Sequence, residues 1–246
     1  QLWSIRDAVA KDIDAALKEV AGMGFEGVEF AGYHKYANDA AGLRKKLDEL
    51  GLKAAGTHVP AGSFVGDNLK KTVDFHKTLG CPFLMVPGDA RFTHPEKSKE
   101  LAEEMNKAAE VLKPEGLFCG YHNHAEEFKK AGDTTYWDLF AGRTTLDVVL
   151  QQDVGWTTAA GHDPVALVRK HPGRTKTTHF KAKLPKGAKD KKPLIGQDTI
   201  DWKSLITACR EVGGTEWFIV EQEDYPEGKT PMECTQTSLE GLKKIL

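Results

Sequence analysis

The sequence lacks the features that would point to a membrane, a nucleic acid or a disulfide framework. None of its apolar runs approaches the roughly 18 residues that a membrane-spanning helix needs. Its 34 lysine and arginine residues are balanced by 36 acidic residues, so no basic excess attracts nucleic acid or anionic lipid. Its four cysteines form no Cys-x-x-Cys pair, which indicates buried free thiols. We therefore expect a small-molecule partner.

A glycine-rich dinucleotide loop is also absent. The first predicted strand runs into Ser4-Ile5-Arg6-Asp7, which does not resemble the Gly-x-Gly-x-x-Gly turn of a doubly wound open sheet. Short β-rich runs instead alternate regularly with amphipathic segments whose apolar residues recur at helical spacing. The predicted strands are Leu2–Ile5, Gly27–Ala31, Lys53–Val59, Phe83–Pro87, Phe118–Asn123, Val148–Val154, Lys176–Lys181 and Trp217–Glu221. The predicted helices are Asp12–Met23, Ala41–Leu50, Asn68–Leu79, Pro95–Lys113, Thr135–Ala141, Pro164–His171, Trp202–Val212 and Pro231–Ile245.

This alternation predicts an α/β fold. It implies parallel strands joined by right-handed crossovers, and eight such units in 246 residues close most naturally as a (β/α)8 TIM barrel. We expect one domain over residues 1–246, with an open sheet as the alternative. The chain begins at Gln1 within the first predicted strand, which indicates a truncated strand and leaves the localisation open between cytoplasmic and exported. The lysine-rich segment Lys181–Lys192 is expected to be a solvated loop.

Polar side chains stand at the ends of successive predicted strands, where a TIM barrel carries its function. The fifth strand ends in Tyr121-His122-Asn123-His124, the sixth ends at Asp153, the seventh carries His179 and Lys181, and the eighth ends at Glu221. Side chains two residues apart on a strand share a face. With these residues facing the barrel axis, the ends of four strands converge on one spot.

A cation is needed where these groups meet. Carboxylates and imidazoles packed this closely repel one another and shift their pKa values unless a positive charge lies between them. Oxygen and imidazole ligands suit one divalent ion, with Mn²⁺ favoured and Co²⁺, Mg²⁺ or Zn²⁺ as alternatives. Glu29 and His58 lie at the ends of two earlier strands. With Trp3 and Trp156, they are expected to bind the substrate.

Five runs of the sequence stand out together. They are Gln1-Leu2-Trp3-Ser4-Ile5-Arg6-Asp7, Gly120-Tyr121-His122-Asn123-His124, Asp153-Val154-Gly155-Trp156, Gly161-His162-Asp163-Pro164 and Val220-Glu221-Gln222-Glu223. The chain resembles the xylose isomerase-like barrel family of sugar phosphate isomerases and epimerases along its whole length. The resemblance implies a Glu–Asp–His–Glu metal site that includes Asp153, His179 and Glu221. It assigns the first glutamate to Glu127, in the stretch Ala125-Glu126-Glu127-Phe128 that follows the Tyr-His-Asn-His motif.

The resemblance implies a metal-dependent isomerase or epimerase of a sugar or sugar phosphate, which moves a proton next to a carbonyl through an enediolate. Glu221 is expected to be ligand and base, and His122 and His124 to be acid/base partners, with Glu127 and Lys181 as further catalytic candidates. A lyase that eliminates a β-substituent from a keto-sugar or 3-keto-glycoside is the main alternative. A non-catalytic sugar-binding barrel and an AP-endonuclease-like nuclease are less favoured, and the resemblance leaves a homo-oligomer open.

Overall fold

A computed structural model describes residues 1–184, 188 and 190–246. Part of the lysine-rich segment 181–192 therefore lies outside the described residues. In the part of the chain that is described, no helix combines the length and apolar character that crossing a membrane requires. The four cysteines are buried free thiols, as the sequence predicts.

The centre of the fold is a parallel sheet that closes almost completely into a barrel. The strands are β1 (Gly27–Phe30), β2 (Lys53–His58), β3 (Phe83–Val86), β4 (Phe118–His122), β5 (Lys130–Ala131), β6 (Thr134–Thr135), β7 (Val149–Asp153), β8 (Thr177–Phe180) and β9 (Trp217–Val220). The barrel order is β1-β2-β3-β4-β7-β8-β9, and every pairing in it is parallel. β5 and β6 form a separate antiparallel hairpin. The α/β barrel class is confirmed.

The first predicted strand is wrong, and the barrel sheet has seven strands among the described residues. Leu2–Ile5 is a single 3-10 turn whose backbone hydrogen bonds are local, with Ser4 N–H donating to Gln1 O and the Gln1 side chain accepting from the N–H of Trp3. The Gln1 amino group donates to Val220 O at 2.7 Å, and its side chain donates to Glu29 at 2.6 Å. The turn therefore bridges β9 and β1 where an eighth strand was expected.

Helices surround the barrel; eight of those described lie at or near the predicted positions, whereas Arg6–Lys11 and Val154–Ala159 are helices that were not predicted. They are α1 (Arg6–Lys11), α2 (Ile13–Met23), α3 (Ala40–Leu50), α4 (Asp67–Leu79), α5 (Lys97–Leu112), α6 (Tyr136–Arg143), α7 (Val154–Ala159), α8 (Pro164–Lys170), α9 (Trp202–Ala208) and α10 (Pro231–Ile245). Short 3-10 turns occupy His34–Tyr36, Ala61–Phe64, Lys113–Glu115 and Glu126–Phe128, and a π turn, Cys209–Gly213, continues α9. Asp12 and Asp163 accept backbone N–H bonds at the starts of α2 and α8, which explains where both helices begin.

The interior of the barrel is apolar at the ends where the strands begin. Phe83, Met85 and Val149 form a buried cluster there, and Phe118 and Trp217 pack against it. Gly120 fits between these residues because a Cβ at this position would lie 2.4 Å from Val149 O and 2.7 Å from Met85 Sδ. The polar side chains lie at the opposite ends of the strands, where the candidate site is.

Candidate active site

Four strand ends bring two imidazoles and two carboxylates together. His122 ends β4, Asp153 ends β7, His179 lies in β8 and Glu221 follows β9. The strand register sets Asp153 opposite His179, so both point into the same region of the barrel mouth. One nitrogen or oxygen atom of each residue lies within 4.8 Å of those of the other three, and all four side chains are buried. We call these four residues the donor cluster.

His179 lies between two carboxylates. Its Nδ1 is 3.0 Å from Glu221 Oε2, and its Nε2 is 2.5 Å from Glu29 Oε1. Burial alone would lower the pKa of His179, but Glu29 and Glu221 outweigh it and raise the pKa to about 10. Burial would likewise raise the pKa of Glu29, but His179 and His58 lower it to about 2. Glu29 therefore fixes the ring and leaves Nδ1 facing the donor cluster.

Lys181 places an ammonium group against the same carboxylates. Its Nζ lies 3.4 Å from Asp153 Oδ2 and 3.2 Å from Glu221 Oε2, and it also contacts Glu223. Burial would lower the pKa of Lys181, but these carboxylates raise it. The stem of Lys181 reaches this position because residue 155 is glycine: a Cβ there would lie 2.9 Å from Lys181 Cγ. The Asp-Val-Gly-Trp motif therefore makes room for the lysine.

The two carboxylate oxygens of Asp153 have different partners. Oδ1 accepts the backbone N–H of Trp156 at 2.7 Å and caps α7, while Oδ2 faces Lys181 and His122. Burial raises the pKa of Asp153 to about 7, although Lys181 partly offsets it. An Asp carboxylate that is this costly to ionise is stabilised by any additional cation near Oδ2.

The donor cluster fits a divalent metal ion. Two imidazole nitrogens and two carboxylate oxygens form a ligand set that suits Mn²⁺, Co²⁺ or Zn²⁺. The carboxylates of Glu29, Asp153, Glu221 and Glu223 gather around Lys181 and His179, which leaves negative charge for a further cation to neutralise. Glu29 behind His179 completes the carboxylate–histidine arrangement that orients metal-binding imidazoles.

A cavity of about 660 Å³ opens above the donor cluster. Its polar lining residues are His58, His122, His124, Lys181, Glu221 and Glu223. The rest of its lining is mostly apolar and includes Trp3, Ala31, Val59, Pro60 and Pro87. The volume lies in the middle of the range of about 300–1,000 Å³ that is usual for small-molecule sites. The cavity therefore offers a set of reactive polar side chains, which we call the reactive wall, and apolar surface for a less polar group.

The chain is similar over nearly all its length to one known protein family. Residues 17–245 match the xylose isomerase-like TIM barrel family, which is nearly the whole chain. The chain belongs to this family. The resemblance drawn from the sequence motifs is thereby confirmed.

Relatives in this family have names from two reaction classes. An inosose dehydratase of Clostridium beijerinckii is 24% identical over 270 residues, covering 94% of this chain and 89% of the relative. A solved structure described as a sugar phosphate isomerase/epimerase of Parabacteroides distasonis is 27% identical, with a TM-score of 0.82 over 99% of this chain and 96% of its own. An L-ribulose 3-epimerase structure is 15% identical, with a TM-score of 0.67 over 96% and 90%, and shows the fold alone. The family thus includes lyase-type and isomerase-type enzymes.

Glu127, expected as the family's first metal-binding glutamate, is not part of the donor cluster. It lies in the 3-10 turn Glu126–Phe128, and its Oε2 accepts the backbone N–H of His124 at 2.8 Å. Burial raises the pKa of Glu127. The carboxylate is held by its own loop, and His122 is the residue that lies beside Asp153, His179 and Glu221, so Glu127 as a metal ligand stays a prediction. Glu127 fixes the loop that carries His124.

The residues predicted to bind substrate fall into two groups. Trp3 and His58 line the cavity; Trp3 is 45% exposed, and its Nε1 donates to Glu223 at 3.1 Å. Glu29 is fully buried behind His179, where it orients that imidazole, and its role in substrate binding stays a prediction. The ring of Trp156 packs 5.6 Å from that of His124 and lies beneath Lys181, so it supports the reactive wall from behind.

Two residues of the site were not assigned from the sequence. Glu223 lines the cavity and contacts Lys181 and Trp3. Gln151 is buried on β7 and touches His58 and His122. Both lie two residues from a member of the donor cluster and hence on the same face of the chain, which is the signal that could have found them.

Proposed function

We propose that this chain is a metal-dependent lyase that acts on a keto-sugar, 3-keto-glycoside or keto-cyclitol. It removes a proton from the carbon next to the keto group and expels an oxygen substituent from the adjoining carbon. The observation that carries this proposal is the convergence of the donor cluster in the wall of a cavity lined by imidazoles. The sequence alone favoured an isomerase or epimerase, but the inosose dehydratase relative, aligned over 94% of this chain, supports elimination at least as well.

Asp153, His179, Glu221 and His122 would hold the ion, for which Mn²⁺ is our first choice. When bound, a divalent ion supplies Lewis-acid polarisation of the keto group and makes the neighbouring C–H more acidic. Burial would raise the pKa of Glu221, but His179 and Lys181 hold it well below its usual range. A carboxylate that remains ionised suits a ligand and is a weak base, so we move the base from Glu221 to a cavity imidazole.

His124 is the proposed proton-transfer residue. It lines the cavity, its ring lies 4.9 Å from that of His122, and its backbone is fixed by Glu127. Burial lowers the pKa of His124, so the ring is neutral near pH 7 and can accept a proton. It takes the proton as the C–H electron pair forms the new double bond, and the resulting imidazolium gives that proton to the departing oxygen. Lys181, whose ammonium group is held by Asp153, Glu221 and Glu223, adds positive charge to the same wall.

The apolar lining of the cavity fits a leaving substituent that is itself apolar. A bare sugar ring has only its C–H face to offer to Trp3, Val59 and Pro60, because its edges carry hydroxyl groups. A substituent with an apolar or aromatic face would cover them, and the Trp3 ring is exposed enough to stack on it. This arrangement favours a glycoside as the substrate.

The test is a panel of 3-keto-glycosides, keto-sugars and inososes, incubated in D₂O with the metal-free protein and with the Mn²⁺-loaded protein. NMR would report the released substituent, the new double bond and any deuterium at a sugar carbon. We expect Mn²⁺-dependent release. The His124→Gln variant should lose about 10²–10⁴-fold in rate. The matched control is His162→Gln, because His162 is exposed and stacks on Phe128 at 4.7 Å.

Isomerisation or epimerisation is the second candidate. It is supported by the solved structure described as a sugar phosphate isomerase/epimerase, which is 27% identical over nearly all of this chain. The same assay separates the two: deuterium incorporation with a new sugar isomer and no released substituent would establish this candidate and refute elimination. Neither deuterium nor release with any substrate on the panel would refute both.

A further inference from the structure

Gln151 makes a full set of hydrogen bonds beneath the imidazoles of the site. Its Nε2 donates to Glu29 Oε2 at 2.7 Å and to Thr177 Oγ1 at 2.8 Å. Its Oε1 lies 3.0 Å from His58 Nε2 and 3.1 Å from His122 Nδ1. A side-chain amide has two N–H donors and two acceptor sites, so every one is used.

The direction of this amide is dictated by its neighbours. Glu29 is fully buried, and its Oε1 already lies close to the side-chain nitrogens of Gln1 and His179. An ionised carboxylate can only accept hydrogen bonds, so the NH₂ group of Gln151 must face Glu29 Oε2. The carbonyl oxygen of Gln151 is thereby turned toward His58 and His122, and it can only accept.

An acceptor fixes which imidazole nitrogens carry hydrogen. His122 must carry its hydrogen on Nδ1 and His58 on Nε2, the atoms that face Gln151. Glu29 Oε1, 3.3 Å from His58 Nε2, is a second acceptor on that nitrogen and gives the same assignment. The lone pair of His122 is then on Nε2, which lies 3.9 Å from Asp153 Oδ2. The lone pair of His58 is on Nδ1.

We infer that Gln151 is a positioning residue that selects the tautomers of His58 and His122, and so presents His122 Nε2 as an electron-pair donor to the metal site. Without Gln151, the hydrogen of His122 would be drawn to Nε2, where the carboxylate of Asp153 is the available acceptor. The lone pair would then point away from the cluster. The role of His122 as a ligand rests on the proposed function, whereas the tautomers themselves do not.

The direct test is long-range ¹H–¹⁵N correlation NMR of metal-free protein labelled with ¹⁵N-histidine at a pH where the rings are neutral. Variants of His58 and His122 would assign their signals among the nine histidines. We expect His122 with hydrogen on Nδ1 and His58 with hydrogen on Nε2. The opposite tautomer at either residue in the wild-type protein overturns the inference, whether or not any variant folds.

The variant test compares Gln151→Met with Gln152→Met. Gln152 is equally buried, lies next in the same strand and bonds Pro164 O, away from the imidazoles. Gln151→Met should convert His122 partly or wholly to the Nε2–H form and weaken Mn²⁺ binding, measured by calorimetry, by about 10–100-fold. Gln152→Met should change neither. Unchanged His122 tautomer in Gln151→Met refutes the inference, and a correct tautomer in a protein without lyase activity refutes only the proposed function.

Discussion

Replacing Lys181 with methionine should tighten metal binding while it destabilises the metal-free protein. Lys181 is only 2% exposed, and its ammonium group lies 3.2 Å from Glu221 and 3.4 Å from Asp153. Methionine keeps most of the aliphatic stem and removes the charge. In the metal-free protein this leaves buried carboxylates without their partner, which typically costs about 3–5 kcal/mol.

In the Mn²⁺-loaded protein the ion faces the same carboxylates, so the substitution should cost only the hydrogen bonds of the lysine, about 1–2 kcal/mol in the free energy of unfolding. The cost in the metal-free protein is therefore greater by about 2–3 kcal/mol. Thermodynamic linkage requires this difference to appear as tighter binding, with a Mn²⁺ Kd lower by roughly 30- to 150-fold. Urea denaturation with and without saturating Mn²⁺ gives the first quantity, and calorimetric titration gives the second.

The matched control is Lys183→Met. Lys183 lies near Lys181 in sequence but pairs with Asp224 at 3.1 Å and is 21% exposed at its side chain. A partly exposed pair contributes about 0–1 kcal/mol, so its removal should change the Mn²⁺ Kd by less than about fivefold. A Kd in the Lys181→Met variant that equals or exceeds that of the wild-type protein would contradict the charge balance described for the donor cluster.

Three further predictions concern metal orientation, packing and pH. Glu29→Gln should weaken Mn²⁺ binding about 10–100-fold because His179 loses the carboxylate that orients it, as calorimetry would show. Gly155→Ala should lower the free energy of unfolding by about 1–3 kcal/mol in urea titrations, since its Cβ would collide with Lys181. Burial raises the pKa of Asp198 to about 6 in the folded protein, so the stability that its protonated form contributes is lost as pH rises from about 4, where the unfolded chain ionises, to about 6. Asp198→Asn should therefore gain stability relative to wild type over that interval, by on the order of 3 kcal/mol.

Each of these has its own control. Glu26→Gln changes an exposed glutamate just before β1 and should leave the Mn²⁺ Kd unaltered. Gly142→Ala places a Cβ in open space in α6 and should not destabilise. Equal losses in the two glycine variants would refute the close-packing argument. A stability difference between Asp198→Asn and wild type that stays flat with pH would show that Asp198 titrates normally.

The sequence by itself determined the barrel class and three members of the donor cluster. Alternating strand and helix periods are local properties, and they placed Asp153, His179 and Glu221 at the ends of parallel strands, which meet at one edge by geometry. Helix starts were equally local, because Asp12 and Asp163 satisfy N–H groups only two or three residues away.

Tertiary structure decided what depends on contacts between distant segments. Leu2–Ile5 has the composition of a strand but forms a 3-10 turn, beside which Gln1 contacts Val220 and Glu29, 219 and 28 positions away in the chain. Glu127 and His122 both have suitable ligand atoms, and only the folded chain shows that the Glu127 carboxylate accepts the backbone N–H of His124 while His122 lies in the cluster.

The hydrogen-bonding partners of Gln151 likewise could not be predicted from the sequence. Its amide joins β1, β2, β4 and β8 through Glu29, His58, His122 and Thr177, and these meet only when the barrel closes. Periodicity assigns a residue to the inward face of a strand, but it does not say which inward side chains touch. That is fixed by the stagger and curvature of the sheet, which depend on every strand at once.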